Sequence, residues 1–174
     1  MKKNSIIAAG LAVAVLMAAG AAMAQQPDKD SQKFIKTAIE GNIAEIDVGK
    51  LAQKKGKNPA VKQYGAMLVK DHSAAKSKAE AAAKTVQVKP PTGSSVAEKA
   101  TYLKLKVLSG DAFDKSFAAS MVSDHQNDIK EYQEEAQKSD AVGSYAKEAL
   151  PTLQKHLQEA QKLDQTLKQT TGSK

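Results

Sequence analysis

The chain has 174 residues with 26 basic and 19 acidic side chains, a formal net charge of +7, and no cysteine or tryptophan; every basic residue is lysine. Without cysteine there are no disulfide staples, thiol nucleophiles or thiolate metal sites, so stability must come from packing. Without arginine or tryptophan, and with only 4% aromatic residues, the bidentate phosphate contacts and stacking platforms of nucleic-acid binding are missing, and no nucleic-acid partner is expected.

Residues 1–24 read as a targeting segment. Lys2 and Lys3 precede an apolar run from Ile6 to Ala19, and Ala22-Met23-Ala24 is a small-x-small cleavage signal. The run is too short for a comfortable membrane span, and no second one follows. The expected mature form therefore begins near Gln25, lacks a transmembrane segment, and is periplasmic or secreted. Residues 25–174 are the length of one ordinary domain, with its core over about 31–168.

From Ser31 onward the apolar spacing is helical. A first helix is predicted over 31–54, ending at Lys54-Lys55-Gly56. Asn58 as cap and Pro59 in the first turn then open a second helix that runs to about Lys84. So short a link makes the two antiparallel neighbours. Val86 to Gly110 reads as a crossover, broken by Pro90-Pro91-Thr92-Gly93-Ser94, with one short helix over Val96–Leu108. A third long helix starts at Asp111 and Asp114, read as N-cap and first-turn carboxylate, and ends near Lys138. The fourth runs from Ser139-Asp140 to about Lys168, and Pro151 is expected to kink or split it near Leu150. The fold class is all-α: a four-helix bundle with a long crossover between helices two and three that carries a short extra helix.

At 100° per residue, His72 shares an arc with Val61, Leu68 and Ala79, His125 with Phe117, Met121 and Tyr132, and His156 with Leu153, Ala160 and Leu163. Each histidine faces the core near the middle of its helix. Glu45 lies toward one edge of the first helix's stripe at a similar height. Three imidazoles and a carboxylate at mid-bundle suit one zinc, iron, copper or manganese ion. The other reading is three structural histidines bonded to backbone, to Tyr64 or Tyr132, or to water. Val69, Val122 and Leu153 stand three residues before the histidines, where a dinuclear carboxylate centre needs glutamates, so two ions are not expected. Asp71 and Asp124 point to the edges of their faces and suit surface or outer contacts.

Leu68-Val69-Lys70-Asp71-His72 and Met121-Val122-Ser123-Asp124-His125 are near copies. With Glu45-x-x-x-Gly49-x-Leu51-Ala52, Gly110-x-x-Phe113-Asp114 and Leu150-Pro151-x-Leu153-x-x-His156-Leu157, the chain from Ser31 to Leu167 resembles the bacterial exported family catalogued as domain of unknown function 4142. That resemblance implies a ferritin-like bundle and an envelope location, and supplies no catalytic residues. The near copies also suggest that His72 and His125 face each other across the core.

No nucleophile–base pair, phosphate loop or paired core carboxylates are evident, so an enzyme is not expected. Two functions follow. One is an exported bundle holding a single transition-metal ion through His72, His125, His156 and Glu45, for sequestration or stress protection. The other is a non-enzymatic structural or interaction protein of the envelope, whose lysines meet anionic polymers or whose surface meets a protein partner.

Overall fold

The structure is a computed structural model that describes residues 28–172; the targeting segment and its cleavage point lie outside them. Among the described residues the chain is all-helical, with α1 Lys29–Lys55, α2 Pro59–Thr85, α3 Val96–Val107, α4 Gly110–Glu135 and α5 Ala141–Gly172.

Local chemistry sets most of the boundaries. Asn58 accepts the Ala60 amide at 2.9 Å, with Pro59 in the first turn of α2. Ser95 and Glu98 form a reciprocal capping box on α3, and Asp140 accepts the Gly143 amide at 2.7 Å to start α5. Helix α2 stops in a Schellman turn. Val88 N–H donates to Ala83 O and Gln87 N–H to Lys84 O, while Gln87 takes the left-handed conformation at φ 59°.

Two expectations change. The α4 cap position is Ser109, which makes no side-chain cap bond, and Asp111 lies in the first turn. Asp114 is not a capping carboxylate for its own helix: buried to 1% exposure, it accepts the backbone N–H groups of Lys57 and Asn58 at 3.0 and 2.7 Å. Pro151 does not split α5, which stays one helix from Ala141 to Gly172. Pro151 and Lys147, whose carbonyl loses its helical donor there, are both exposed, so water can satisfy the freed oxygen.

These contacts also fix the topology. Asp114 and the Lys57–Asp111 pair at 2.9 Å bind the start of α4 to the α1–α2 turn. At the other end, Ser31 Oγ donates to Glu135 at 2.6 Å and Lys138 pairs with Asp28 at 2.7 Å. Helix α4 therefore runs antiparallel to α1 and parallel to α2, and α5 returns beside α2 and α4. Residues 86–109 climb the length of the bundle, with α3 lying against α1 and α4. Lys55 Nζ holds the end of this crossover through the Lys106 carbonyl.

The core has two apolar halves. Leu51, Val61, Leu68, Phe113, Phe117 and Leu163 fill the half near the α1–α2 turn; Ile35, Ile39, Ala79, Val142, Tyr145 and Leu153 fill the other. Between them lies a buried polar layer of Asn42, Glu45, His72, His125 and His156.

Helices α1 and α2 touch backbone to backbone at Gly49 and Gly65. A Cβ on Gly65 would stand 2.6 Å from the Gly49 carbonyl oxygen and 2.8 Å from Ala52 Cβ. Gly65→Ala is expected to cost about 1–3 kcal/mol in urea unfolding through overpacking. Gly41→Ala, whose Cβ would meet only Glu98 at 3.6 Å, should gain up to about 1 kcal/mol through helix propensity.

Candidate metal centre

His72, His125 and His156 come from α2, α4 and α5 and are 5%, 0% and 0% exposed. Their ring centroids are 5.2–5.8 Å apart, and one nitrogen from each lies within 4.8 Å of the others. His72 and His125 do face each other across the core, at 5.8 Å.

The outer nitrogen of each ring is fixed by an acceptor. His125 Nδ1 lies 3.0 Å from the Met121 carbonyl, which can only accept, so that nitrogen carries the proton. His156 Nε2 lies 3.0 Å from the Asp71 carboxylate and donates to it. His72 Nδ1 lies 2.9 Å from Asn42 Oδ1. The Asn42 amide is itself oriented, because its Nδ2 donates to Ala38 O at 2.7 Å and to the Tyr145 hydroxyl at 3.0 Å. The Asn42 oxygen is left to accept from His72. Tyr64 holds the α5 backbone in place by donating to the His156 carbonyl at 3.0 Å.

Burial then keeps the rings neutral. It lowers the His125 pKa to about 4 and pulls His72 well below the ordinary imidazole value, each reinforced by neighbouring histidines. His156 is also lowered by burial, against the opposing pull of Asp71. A neutral imidazole has one proton, and in each ring the outward bond uses it. His72 Nε2, His125 Nε2 and His156 Nδ1 are therefore left as lone pairs directed into the cluster. His125 Nε2 and His156 Nδ1 are only 3.2 Å apart. His72 Nε2 is buried without a hydrogen-bond partner.

Glu45, expected as a fourth arm, is not a member of the three-nitrogen group. It is 6% exposed, its Oε2 has no hydrogen-bond partner, and its charged neighbours are Asp128, Asp124 and Glu98. The offset of Glu45 from the centre of the α1 stripe accounts for this, since the edge of that stripe meets α3 and α4. Burial, reinforced by these carboxylates, pushes Glu45 well above the usual carboxylate range. Burial and like charge likewise raise Asp128 to about 7 and Asp124 to about 6.

The Asp71–His156 bond is the outer contact expected of Asp71 at the edge of its face, whereas Asn42 and Asp128 are not evident from the sequence reading. Asn42 had a visible signal, a polar residue three after Ile39 on an apolar stripe. Asp128 had none that separates it from a surface carboxylate.

Two openings reach His72. A groove of about 340 Å³ between α2 and α5 is bordered by Asp71, His72, Ala75, Tyr145, Leu153 and His156. A cavity of about 40 Å³ on the α1–α4 side is bordered by Asn42, His72, Glu98, Asp128 and Glu131. These three carboxylates form no ion pair among the described residues.

Because the folded state raises the Asp128 pKa above its unfolded value of 3.8, folding takes up a proton between pH 4 and 7, and stability is lost as pH rises through that window. In chelator-treated protein, Asp128→Asn should match the wild-type melting temperature near pH 4. It should exceed it by about 2–4 °C or more at pH 8, with the difference growing between.

The match to known proteins follows the architecture. The family model described as Domain of unknown function (DUF4142) matches residues 16–163. A solved structure titled as a DUF305 fragment from Deinococcus radiodurans is similar in fold, with a TM-score of 0.69 and 12% identity over 82% of this chain and 98% of that one. No curated protein matches the chain. With a family model spanning most of its length, the chain belongs to the DUF4142 family.

Proposed function

We propose that this protein is an exported, ferritin-like bundle that binds one transition-metal ion through His72, His125 and His156, for sequestration or stress protection and without enzymatic activity. The observation that carries the reading is the convergence of three imidazole lone pairs in a buried layer, each ring held by an acceptor on its outer nitrogen. At 3.2 Å, two lone pairs repel unless a proton or a cation lies between them. A proton would make one ring an imidazolium, which burial opposes in both. Zinc–nitrogen bonds of 2.0–2.1 Å in a tetrahedron place ligand nitrogens about 3.3 Å apart, close to the separation of this pair. The outward carbonyl, amide and carboxylate partners are those that orient metal-bound histidine.

Neutral imidazoles suit zinc, copper, iron or manganese in the order of affinity set by the metal. When bound, the ion supplies coordination positions beyond the three nitrogens, open to water or a small ligand. His72 and His156 would meet such a ligand from the α2–α5 groove. On the opposite side, Glu98 and Glu131 beside His72, which form no ion pair among the described residues, supply negative potential that favours a cation over an anion. The helix order, with the crossover making α2 and α4 parallel, supports the ferritin-like assignment. The cleavage pattern at Ala22-Met23-Ala24 supports export, and the lysine-rich composition supports weak contact with anionic envelope polymers.

Titration of metal-free protein with zinc or copper should give one equivalent per chain and a higher melting temperature. The His72→Ala/His125→Ala/His156→Ala variant should lose that uptake. Asp71→Asn and Asn42→Leu should weaken it about 10–100-fold by releasing the outward bonds. Equal uptake by wild type and the triple variant would leave the histidines as structural polar groups. For export, the chain recovered from cell fractions should lie outside the cytoplasm with Gln25 as its first residue; a cytoplasmic chain beginning at Met1 rejects it.

A further inference from the structure

Among the described residues the exposed large hydrophobic side chains are Val96 at 84%, Leu103 at 57% and Val107 at 82%, and all three belong to α3. At 100° per residue they share, with exposed Ala100, an arc of about 60° on one face of that helix. Lys99 and Lys106 fall along one edge of the arc and Lys104 along the other. None of the three forms an ion pair among the described residues.

The opposite face of α3 is committed to the fold. Leu105 is 0% exposed in the core half near the α1–α2 turn, and Glu98, the one carboxylate of the helix, turns inward to accept the Ser95 amide at 2.6 Å. The helix is capped at its start, and its end is tied to α1 through Lys55 and the Lys106 carbonyl. A helix anchored at both ends thus shows the solvent an apolar strip whose flanking charged residues on α3 are all lysines.

We infer that α3 is a docking surface for an anionic lipid bilayer. The strip enters the boundary between headgroups and acyl chains, while the lysines on both edges reach the phosphates with their stems along the apolar surface. Charge selects this occupant: two copies meeting strip to strip would oppose two lysine rims on chains of net charge +7, whereas anionic headgroups neutralise them. No helix among the described residues is long and apolar enough to cross a membrane, so the contact is peripheral.

The absence of tryptophan makes the test local. Leu103→Trp places one reporter in the strip, and Gln154→Trp places one on an exposed position of α5. With phosphatidylglycerol vesicles in the presence of chelator, the reporter at position 103 should shift to shorter wavelength and be quenched by brominated lipid. The reporter at 154 should do neither, and phosphatidylcholine vesicles should give at least tenfold weaker binding. Lys99→Gln/Lys104→Gln/Lys106→Gln and Val96→Ser/Val107→Ser, each made in the Leu103→Trp chain, should weaken the response at least tenfold while circular dichroism shows an intact fold. An unmoved reporter at 103, equal responses at both positions, or full binding by the serine variant overturns the proposal. So does a spectral shift that follows protein concentration without vesicles, which would identify a second copy as the occupant. Because metal is absent throughout, the result is independent of the histidine centre.

Discussion

Burying three neutral imidazoles in one layer is the constraint around which the rest of the molecule is arranged. Each ring has a single proton, and an isolated buried polar atom carries a desolvation cost of about 1–3 kcal/mol. The protein satisfies the outward nitrogens with the Asn42 amide, the Met121 carbonyl and the Asp71 carboxylate. Doing so forces the inward nitrogens to be acceptors, and nothing among the described residues donates to them. The polar layer thus stabilises the ring orientations while leaving a concentration of electron pairs at its centre. That combination is poorly suited to packing alone and well suited to a cation.

Holding the layer level requires the helices to be placed along their axes as well as around them. Asp114 does this at one end by taking two backbone amides of the α1–α2 turn, and Ser31, Glu135, Lys138 and Asp28 do it at the other. The Gly49–Gly65 contact sets how closely α1 approaches α2, which in turn brings Asn42 within reach of His72. Contacts far from the histidines therefore control the distances among them.

The two similar pentapeptides show how one sequence pattern takes different parts. His72 and His125 both point inward and meet at 5.8 Å. Their preceding aspartates diverge: Asp71 bonds His156 on the adjoining helix α5, while Asp124 joins Glu45, Glu98 and Asp128 on the far side. Any relation between the helices is preserved in the core-facing position and lost in the residue beside it. That is consistent with core direction being set by helical period and lateral contacts by which neighbour happens to be adjacent.

The helical class, the order of four long helices and a short one, and the inward direction of all three histidines were legible in the sequence, because a 3.6-residue period and local capping chemistry are properties of short segments. The start of α3 at Ser95 and of α2 at Asn58 follow from side chains within a few residues of the amides they cap. Pro151 does not split α5 because a helix tolerates the missing hydrogen bond when the freed carbonyl faces water, and exposure is a tertiary property. Glu45 stands at the height of the histidines, but which neighbour the edge of its stripe meets depends on the rotation and packing of α1 against α3 and α4. The same holds for Asn42 and Asp128. Sequence alone determined which side chains enter the core, through periodicity, and only the tertiary structure decided which of them meet and which ring nitrogens remain free, because those depend on distances of a few ångströms between helices far apart in the chain.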